Sequence, residues 1–300
     1  MNNFKLAIIG NGQLGSYLYK NLSDHYSNIK MYCRSNGYDI CNKEKLKEII
    51  NENNIIINCA AFTNVDKAET EKQECRKVNC DAVKNIVKLI LKKNDNTKFI
   101  HISTDYVYGN VKNIIPIKED TICKPINYYG KTKLYADKFI LKNLEKNFLI
   151  LRPSWLFGPG GNNFIDKLIS IIESNNEIKI VDDQFGKITS TYLVLKVINE
   201  YLKGYIKDGL YNICCGDDPL CEDPSRIDIC LQIIKKLGKE IKIIPCKTKD
   251  FKSPAKRQLN SLLDCSKLDN ELKSRISRTS WDIELSNYIE YKIKKEIKNV

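Results

Sequence analysis

The sequence has only two histidines, His25 and His101, and none of its 12 cysteines stands in a Cys-x-x-Cys pair. Because the common zinc sites need such spacings, we predict no metal site. The chain also lacks an apolar run of ~18 or more residues and the pattern of a secretion signal. We therefore expect a cytoplasmic protein with no membrane partner, whose cysteines are mostly reduced thiols without disulfides.

The excess of positive charge is the one compositional feature that suggests nucleic acid. Lys and Arg number 49 against 37 Asp and Glu, a formal net charge of +12. Residues 231–300 hold 17 basic and 9 acidic residues, so +8 of the excess lies there. These lysines are scattered among acidic and apolar residues instead of forming a basic, aromatic stripe. We expect no nucleic acid partner and a solvated surface, part of which could attract a phosphorylated ligand.

Short apolar runs alternate with segments of helical spacing through the first half of the sequence. We predict strands at 6–9, 29–33, 55–57, 99–102 and 148–151, and helices at 43–50, 81–91 and 127–141. The strand runs are apolar throughout, which is typical of strands buried on both faces. The pattern predicts an α/β fold with a doubly wound, Rossmann-like parallel sheet.

The pattern becomes less regular after residue 155. We predict helices at 164–174, 194–201 and 227–237, the last ended by Gly238, and a strand at 210–213. The expected division is a dinucleotide-binding domain over 1–155, to which 186–215 returns, and a smaller C-terminal α/β lobe. That lobe, mainly residues 156–300, would bind the substrate.

Gly10, Gly12 and Gly15 form a G-x-G-x-x-G pattern with Gln13 and Leu14 before the last glycine. The pattern follows the first predicted strand and opens a helix, as a dinucleotide-binding turn requires. Glycine lets the turn close and brings backbone N–H groups to a pyrophosphate at the helix N-terminus. The alternative is a tight turn without a ligand, and the context favours cofactor binding.

Arg34 and Ser35 follow the second predicted strand, where an acidic residue would accept hydrogen bonds from the ribose of NAD. An arginine nearby suits the 2′-phosphate of NADP instead. NADPH is therefore the predicted cofactor, with NADH as the alternative.

Tyr129 and Lys133 stand four residues apart in a predicted helix, so their side chains share a face. A free tyrosine has a pKa of ~10, and a neighbouring ammonium group lowers it. The pair is therefore a candidate general acid for carbonyl reduction. Upstream, Ser103 and Thr104 follow a strand, where either hydroxyl could bind a substrate oxygen.

In order along the chain, these motifs and others resemble those of the dTDP-4-dehydrorhamnose reductase family, which consists of extended short-chain dehydrogenases/reductases. The resemblance spans nearly the whole chain. It is carried by residues 58–69 (NCAAFTNVDKAE), 103–108 (STDYVY), 125–133 (PINYYGKTK), 152–155 (RPSW), 162–164 (NNF), 182–186 (DDQFG) and 260–264 (NSLLD).

The resemblance implies roles for individual residues. Tyr129 would donate a proton. Lys133 would orient the Tyr129 side chain and hold the nicotinamide ribose, and Thr104 would tune the site and contact the substrate. The remaining cofactor contacts would come from Asp39, Ile40, Ala61, Phe62 and Thr63. The remaining substrate contacts would come from Thr63, Val65, Trp155 and Arg257, the last as a candidate for the pyrophosphate.

The implied reaction reduces C4 of a nucleotide-linked 4-keto-6-deoxy sugar, dTDP-4-dehydro-L-rhamnose, by an enzyme acting as a monomer or homodimer in polysaccharide biosynthesis. Residues 217–226 depart from the aromatic segment usual in the family. Two alternatives therefore stay open: a reductase of a related UDP- or amino-keto-sugar, and a non-catalytic regulatory subunit of the same fold.

Overall fold

The computed structural model describes residues 4–111, 113–161, 163–221, 223–273 and 275–297. Its strands are β1 (Leu6–Ile9), β2 (Ile29–Tyr32), β3 (Ile55–Asn58), β4 (Lys98–Ile102), β5 (Phe148–Pro153), β6 (Leu156–Phe157), β7 (Glu177–Val181), β8 (Phe185–Gly186), β9 (Thr189–Ser190), β10 (Gly209–Ile213), β11 (Lys242–Cys246) and β12 (Asn260–Ser261). Its helices are α1 (Gln13–Leu22), α2 (Lys43–Glu52), α3 (Lys67–Thr70), α4 (Lys72–Arg76), α5 (Ala82–Lys93), α6 (Tyr128–Asn143), α7 (Phe164–Ser174), α8 (Thr191–Leu202), α9 (Arg226–Leu237), α10 (Ser266–Leu272) and α11 (Trp281–Ile297). A π-helical turn, Lys77–Asp81, joins α4 to α5.

The central sheet has six parallel strands in the order β2-β1-β3-β4-β5-β10. The chain winds outward from β1 in both directions, so the predicted doubly wound α/β fold is confirmed. In such sheets the carboxyl ends of the strands form a crevice at the point where the strand order reverses. Here that point lies between β1 and β3.

Alternate residues of the central strands face two separate apolar layers. In β1, Leu6 and Ile8 pack into one core cluster, while Ala7 and Ile9 pack into the other. Strand β3 divides in the same way, with Ile56 facing the second cluster. Because successive side chains of a strand point to opposite faces, a strand covered on both sides must be apolar throughout.

Local sequence signals define the helix that carries the predicted proton donor. Asn127 caps α6 by accepting a hydrogen bond from the backbone N–H of Gly130 at 2.8 Å. The helix then runs through Tyr129 and Lys133, which confirms the helix predicted there. Helix α9 is likewise confirmed: it starts after the Ser225 cap and ends at Gly238, whose φ of 61° is left-handed.

The second half of the chain adds small parallel strand pairs that the sequence pattern did not predict: β7 with β11, β8 with β12, and β6 with β9. Strand β10 lies beside β5 in the central sheet. The division into two domains at residue 155 stays a prediction.

None of the helices in the described ranges is long and apolar enough to cross a membrane. All 12 cysteines are free thiols. Within the same ranges, no group of three or more His, Cys, Asp or Glu side chains is placed to hold a metal ion.

Candidate active site

A cavity of about 850 Å³ opens at the carboxyl ends of β1, β3, β4 and β5. Its size is within the ordinary range for small-molecule sites. It brings together most of the predicted site residues: Gly10, Gly12, Gln13, Leu14, Arg34, Ile40, Ala61, Phe62, Thr63, Val65, Thr104, Tyr129, Lys133 and Trp155. Gly15, Asp39 and Arg257 are predicted site residues that do not line it.

The glycine turn at the start of α1 is shaped by backbone contacts. Gly10 has a φ of 98°, and a Cβ there would lie 2.7 Å from the Ala60 nitrogen. A Cβ on Gly15 would lie 1.9 Å from the Gly10 carbonyl oxygen, so this residue closes the turn without lining the cavity. Gly12 is different, because a Cβ there would meet nothing within 4 Å among the described residues, and as the N-cap it has no side chain with which to cap the helix. The free N–H groups of this first turn fit a diphosphate.

Arg34 lies at the edge of the cavity, with its guanidinium 3.5 Å from both Asp39 and Glu74. Its side chain is 63% exposed, so these ion pairs are weak and can yield to a ligand phosphate. Asp39 does not line the cavity. Its carboxylate pairs with Arg34 and accepts a hydrogen bond from the Cys41 N–H at 2.8 Å. Of the two predicted cofactor residues in this segment, Asp39 and Ile40, only Ile40 lines the cavity.

The segment after β3 is held to the π-helical turn. Asn79 accepts a hydrogen bond from the Phe62 N–H at 2.8 Å and donates to the Phe62 carbonyl at 3.1 Å. Asn79 also donates to the Thr132 hydroxyl on α6 at 3.2 Å. One buried amide therefore sets the position of the predicted cofactor segment relative to the helix that carries Tyr129.

Tyr129 lies beside Thr104 and Asp105. Burial and then the nearby Asp105 carboxyl raise the pKa of Tyr129 above its ordinary value, while the Thr104 hydroxyl lowers it. The expectation that Lys133 brings this pKa below its ordinary value is therefore wrong in direction. A phenol that keeps its proton at neutral pH still serves as a proton donor.

Lys133 is buried, and its contacts are with the last two residues of β4. Its ammonium group donates to the Ile102 carbonyl at 2.6 Å and lies 3.3 Å from Nε2 of His101. Burial lowers the pKa of Lys133 to about 8, partly opposed by the Asp137 carboxyl. Burial, reinforced by Lys133, also lowers the pKa of His101, which therefore stays neutral.

The structure separates the two hydroxyls that follow β4. Ser103 donates to Asp137 at 2.8 Å, in a buried cluster where Asp137 also accepts from Nε of Arg152 at 3.0 Å. Thr104 donates to Asp105 at 3.0 Å on the side of Tyr129. Of the two candidates, Thr104 is therefore the one placed beside the phenol.

Asp105 is a site residue whose role the sequence did not reveal. Its carboxyl is buried and accepts hydrogen bonds from Thr104, from Ser261 at 2.7 Å and from Gln258 at 2.7 Å. Burial raises its pKa to about 6, although the hydrogen bonds from Ser261 and Thr104 oppose the shift. Only the fold brings residues 258 and 261 to this carboxyl.

The part of the cavity lined by the second half of the chain contains one predicted site residue and one arginine that was missed. Trp155 lines it with a left-handed φ of 43°, and its ring lies edge-on to Phe164 at 5.8 Å. Arg226, which was not predicted, lies 4.0 Å from both ring centroids. Asn163 caps α7 behind them, while Asn162 of the same motif lies outside the described residues.

Arg257, the predicted ligand of the pyrophosphate, is engaged elsewhere. Its guanidinium donates to Asp66 at 2.6 Å and to the Ala255 carbonyl at 2.8 Å. The pair anchors the residue 255–257 segment to the loop that contains Val65. It leaves Arg257 outside the cavity lining.

The parallel sheet, the glycine turn and the Tyr129–Lys133 pair define an oxidoreductase of the short-chain dehydrogenase/reductase type. The family described as RmlD substrate binding domain matches residues 5–293. A dTDP-4-dehydrorhamnose reductase from Aggregatibacter actinomycetemcomitans is 30% identical over 297 residues, covering 96% of this chain and 99% of that protein. The chain belongs to the dTDP-4-dehydrorhamnose reductase family.

Solved structures agree with this assignment. A dTDP-4-dehydrorhamnose reductase from Clostridium acetobutylicum has a TM-score of 0.86 and 32% identity, covering 96% of this chain and 99% of that one. The corresponding enzyme from Bacillus anthracis, solved in complex with NADP, has a TM-score of 0.86 and 27% identity, with coverage of 97% and 100%.

Proposed function

We propose that this protein uses NADPH to reduce dTDP-4-dehydro-L-rhamnose to dTDP-L-rhamnose. Membership of the family supports the reaction class, and the NADP in the Bacillus anthracis relative supports the cofactor. The observation that carries the proposal is the placement of Tyr129, Thr104 and Lys133 in one cavity with the glycine turn.

The glycine turn and Arg34 would hold the two phosphorylated parts of NADPH. The first turn of α1 offers uncapped N–H groups to the diphosphate, and Arg34 offers a partly exposed cation to the 2′-phosphate. When bound, the nicotinamide supplies the hydride that reduces the sugar carbonyl. The protein supplies position and charge.

Tyr129 would donate the proton that the carbonyl oxygen needs as it becomes a hydroxyl. Its raised pKa keeps the phenol protonated at neutral pH, so the donor is present in the correct form. Thr104 donates to Asp105 and accepts from the Tyr106 N–H at 3.2 Å, so one lone pair of its hydroxyl oxygen is left for the phenol or the substrate. Lys133, still largely cationic at pH 7, would hold the nicotinamide ribose.

The test is NADPH consumption by the purified protein with dTDP-4-dehydro-L-rhamnose, with the product identified by mass and NMR. We expect turnover that yields dTDP-L-rhamnose. Parallel assays with UDP-linked and amino-keto-sugars test the related-substrate alternative, which residues 217–226 favour because they depart from the family pattern. Turnover of only those sugars would replace the proposed substrate, and no turnover of any would leave the regulatory-subunit interpretation.

A further inference from the structure

Arg226 is held in the cavity by residues of the C-terminal half. Its guanidinium carbon lies 4.0 Å from the ring centroids of Trp155 and Phe164. Its Nε donates to the Gln184 side chain at 3.2 Å, and its backbone N–H donates to the Gln184 carbonyl at 3.0 Å. The planar cation is therefore fixed in orientation before any ligand arrives.

The charge of Arg226 has no carboxylate within 4.0 Å among the described residues. The carboxyl that influences it most, that of Asp105, is committed to Thr104, Ser261 and Gln258. Burial lowers the pKa of Arg226 to about 10; Tyr106 and Asp105 oppose this shift and Arg257 adds to it, so the guanidinium remains charged at neutral pH. A partly buried cation without a counter-ion in the described part of the chain is costly unless a ligand supplies the negative charge.

Two diphosphates could supply that charge, one from the cofactor and one from the nucleotide-sugar. The cofactor diphosphate has a fitting site at the glycine turn, built by β1 and α1. Arg226 instead opens α9 and contacts Phe164 and Gln184, which lie beyond the predicted dinucleotide-binding domain, and Trp155, a predicted substrate contact. Its position favours the nucleotide-sugar.

We propose that Arg226 binds the diphosphate of the nucleotide-sugar, the role that the sequence assigned to Arg257. The guanidinium fork can give two parallel hydrogen bonds to phosphate oxygens while its face stays on the aromatic rings. Arg226 is the last residue of the segment 217–226, which departs from the family pattern. This inference rests on the proposed function, because it takes the substrate to be a nucleotide-sugar.

The experiment compares nucleoside diphosphates with their uncharged nucleosides. Binding of dTDP, UDP, thymidine, uridine and NADPH is measured by calorimetry for the wild type, Arg226→Gln and Arg226→Lys. Arg275→Gln is the matched control, because Arg275 also lies 4.0 Å from an aromatic ring, that of Tyr205, but is exposed. Wild-type turnover of dTDP-4-dehydro-L-rhamnose, measured separately, tests the proposed function alone.

We expect the wild type to bind at least one diphosphate more tightly than its nucleoside. Arg226→Gln should weaken that diphosphate by about tenfold or more while nucleoside and NADPH affinities stay within about twofold. Arg226→Lys should fall between, and Arg275→Gln should match the wild type.

Four results would overturn the inference. Equal weakening of diphosphate and nucleoside by Arg226→Gln would mean that the arginine only supports the pocket. Selective loss of NADPH binding would assign it to the cofactor. No wild-type preference for either diphosphate over its nucleoside, or an unchanged diphosphate affinity in Arg226→Gln, would leave it with no phosphate to bind. An inactive wild type whose diphosphate affinity still depends on Arg226 would reject the proposed reaction and keep this inference.

Discussion

Asn79 holds Phe62 by both atoms of its side-chain amide, accepting from the backbone N–H at 2.8 Å and donating to the carbonyl at 3.1 Å. Asn79 lies within the π-helical turn Lys77–Asp81. Such turns inside helices often occur at functional sites, where the extra residue changes the direction of a side chain. Here the side chain links the predicted cofactor segment to Thr132 on α6.

We predict that Asn79→Ala weakens NADPH binding and lowers stability. The variant leaves the partly buried Phe62 N–H and carbonyl without these partners, at a cost of about 1–3 kcal/mol in the free energy of unfolding. Fluorescence titration with NADPH and urea unfolding measure the two effects. Asn175→Ala is the control, because Asn175 is exposed and its amide donates to the Ile171 carbonyl of the helix that it follows. NADPH affinity equal to that of the control would contradict this role for Asn79.

The sequence predicted those parts of the fold that short-range patterns determine. The buried strands are apolar because both faces are covered, and α9 ends at Gly238 because glycine adopts the left-handed conformation readily. Strand β7 was missed although its buried and exposed residues alternate, as in a strand with one covered face, because the prediction relied on continuous apolar runs. Strand β11 gives a weaker signal, because it is only partly buried and contains Pro245, which favours strand edges.

The site residues that could be predicted are those that belong to a short local motif, as Gly10, Tyr129 and Lys133 do. It was not predictable where long-range packing decides a partner. Arg257 was expected to meet the substrate, yet Asp66, 191 positions away, holds it. Arg226 carried no motif, and only the approach of α9 to Trp155 reveals it.

Tyr129→Phe should lower turnover with the keto-sugar by roughly 100-fold or more, the usual contribution of a general acid. The phenylalanine keeps the ring and its edge-on contact with Tyr106 at 5.9 Å, so NADPH binding should change little. Tyr135→Phe on the same helix is the control, because Tyr135 is 51% exposed. Steady-state kinetics and NADPH titration measure both effects, and turnover at the wild-type rate would remove Tyr129 from its proposed role.

The pKa of Lys133 predicts a loss of activity in mild alkali. Because burial lowers this pKa to about 8, the ammonium form is present below that pH and is lost as the pH rises through it. Since kcat/KM for NADPH reports the free enzyme, it should fall with an apparent pKa near that value. Tyr129, whose pKa is raised, does not titrate in this range.

The variant Lys133→Arg tests whether deprotonation of Lys133 causes this alkaline fall in kcat/KM. A guanidinium keeps its charge throughout the range, so the residual kcat/KM of Lys133→Arg should not fall in mild alkali. The measurement is kcat/KM for NADPH between pH 6 and about 10, corrected for enzyme stability at each pH. A wild-type profile that stays level through pH 9.5 would contradict the predicted loss of activity. A loss that persists in Lys133→Arg would show that another group causes it.

Arg34→Gln should shift the preference from NADPH towards NADH. The 2′-phosphate would lose a charge-assisted hydrogen bond worth about 1.5–3 kcal/mol, which raises KM for NADPH by roughly 10- to 100-fold. NADH lacks that phosphate, so its KM should stay nearly constant. Arg76→Gln is a closely matched control, because Arg76 is also exposed and its Nε lies 3.5 Å from a carboxylate, that of Asp81, as the Nε of Arg34 does from Asp39. Equal changes for both cofactors in Arg34→Gln would mean that Arg34 shapes the turn after β2 and does not recognise the phosphate.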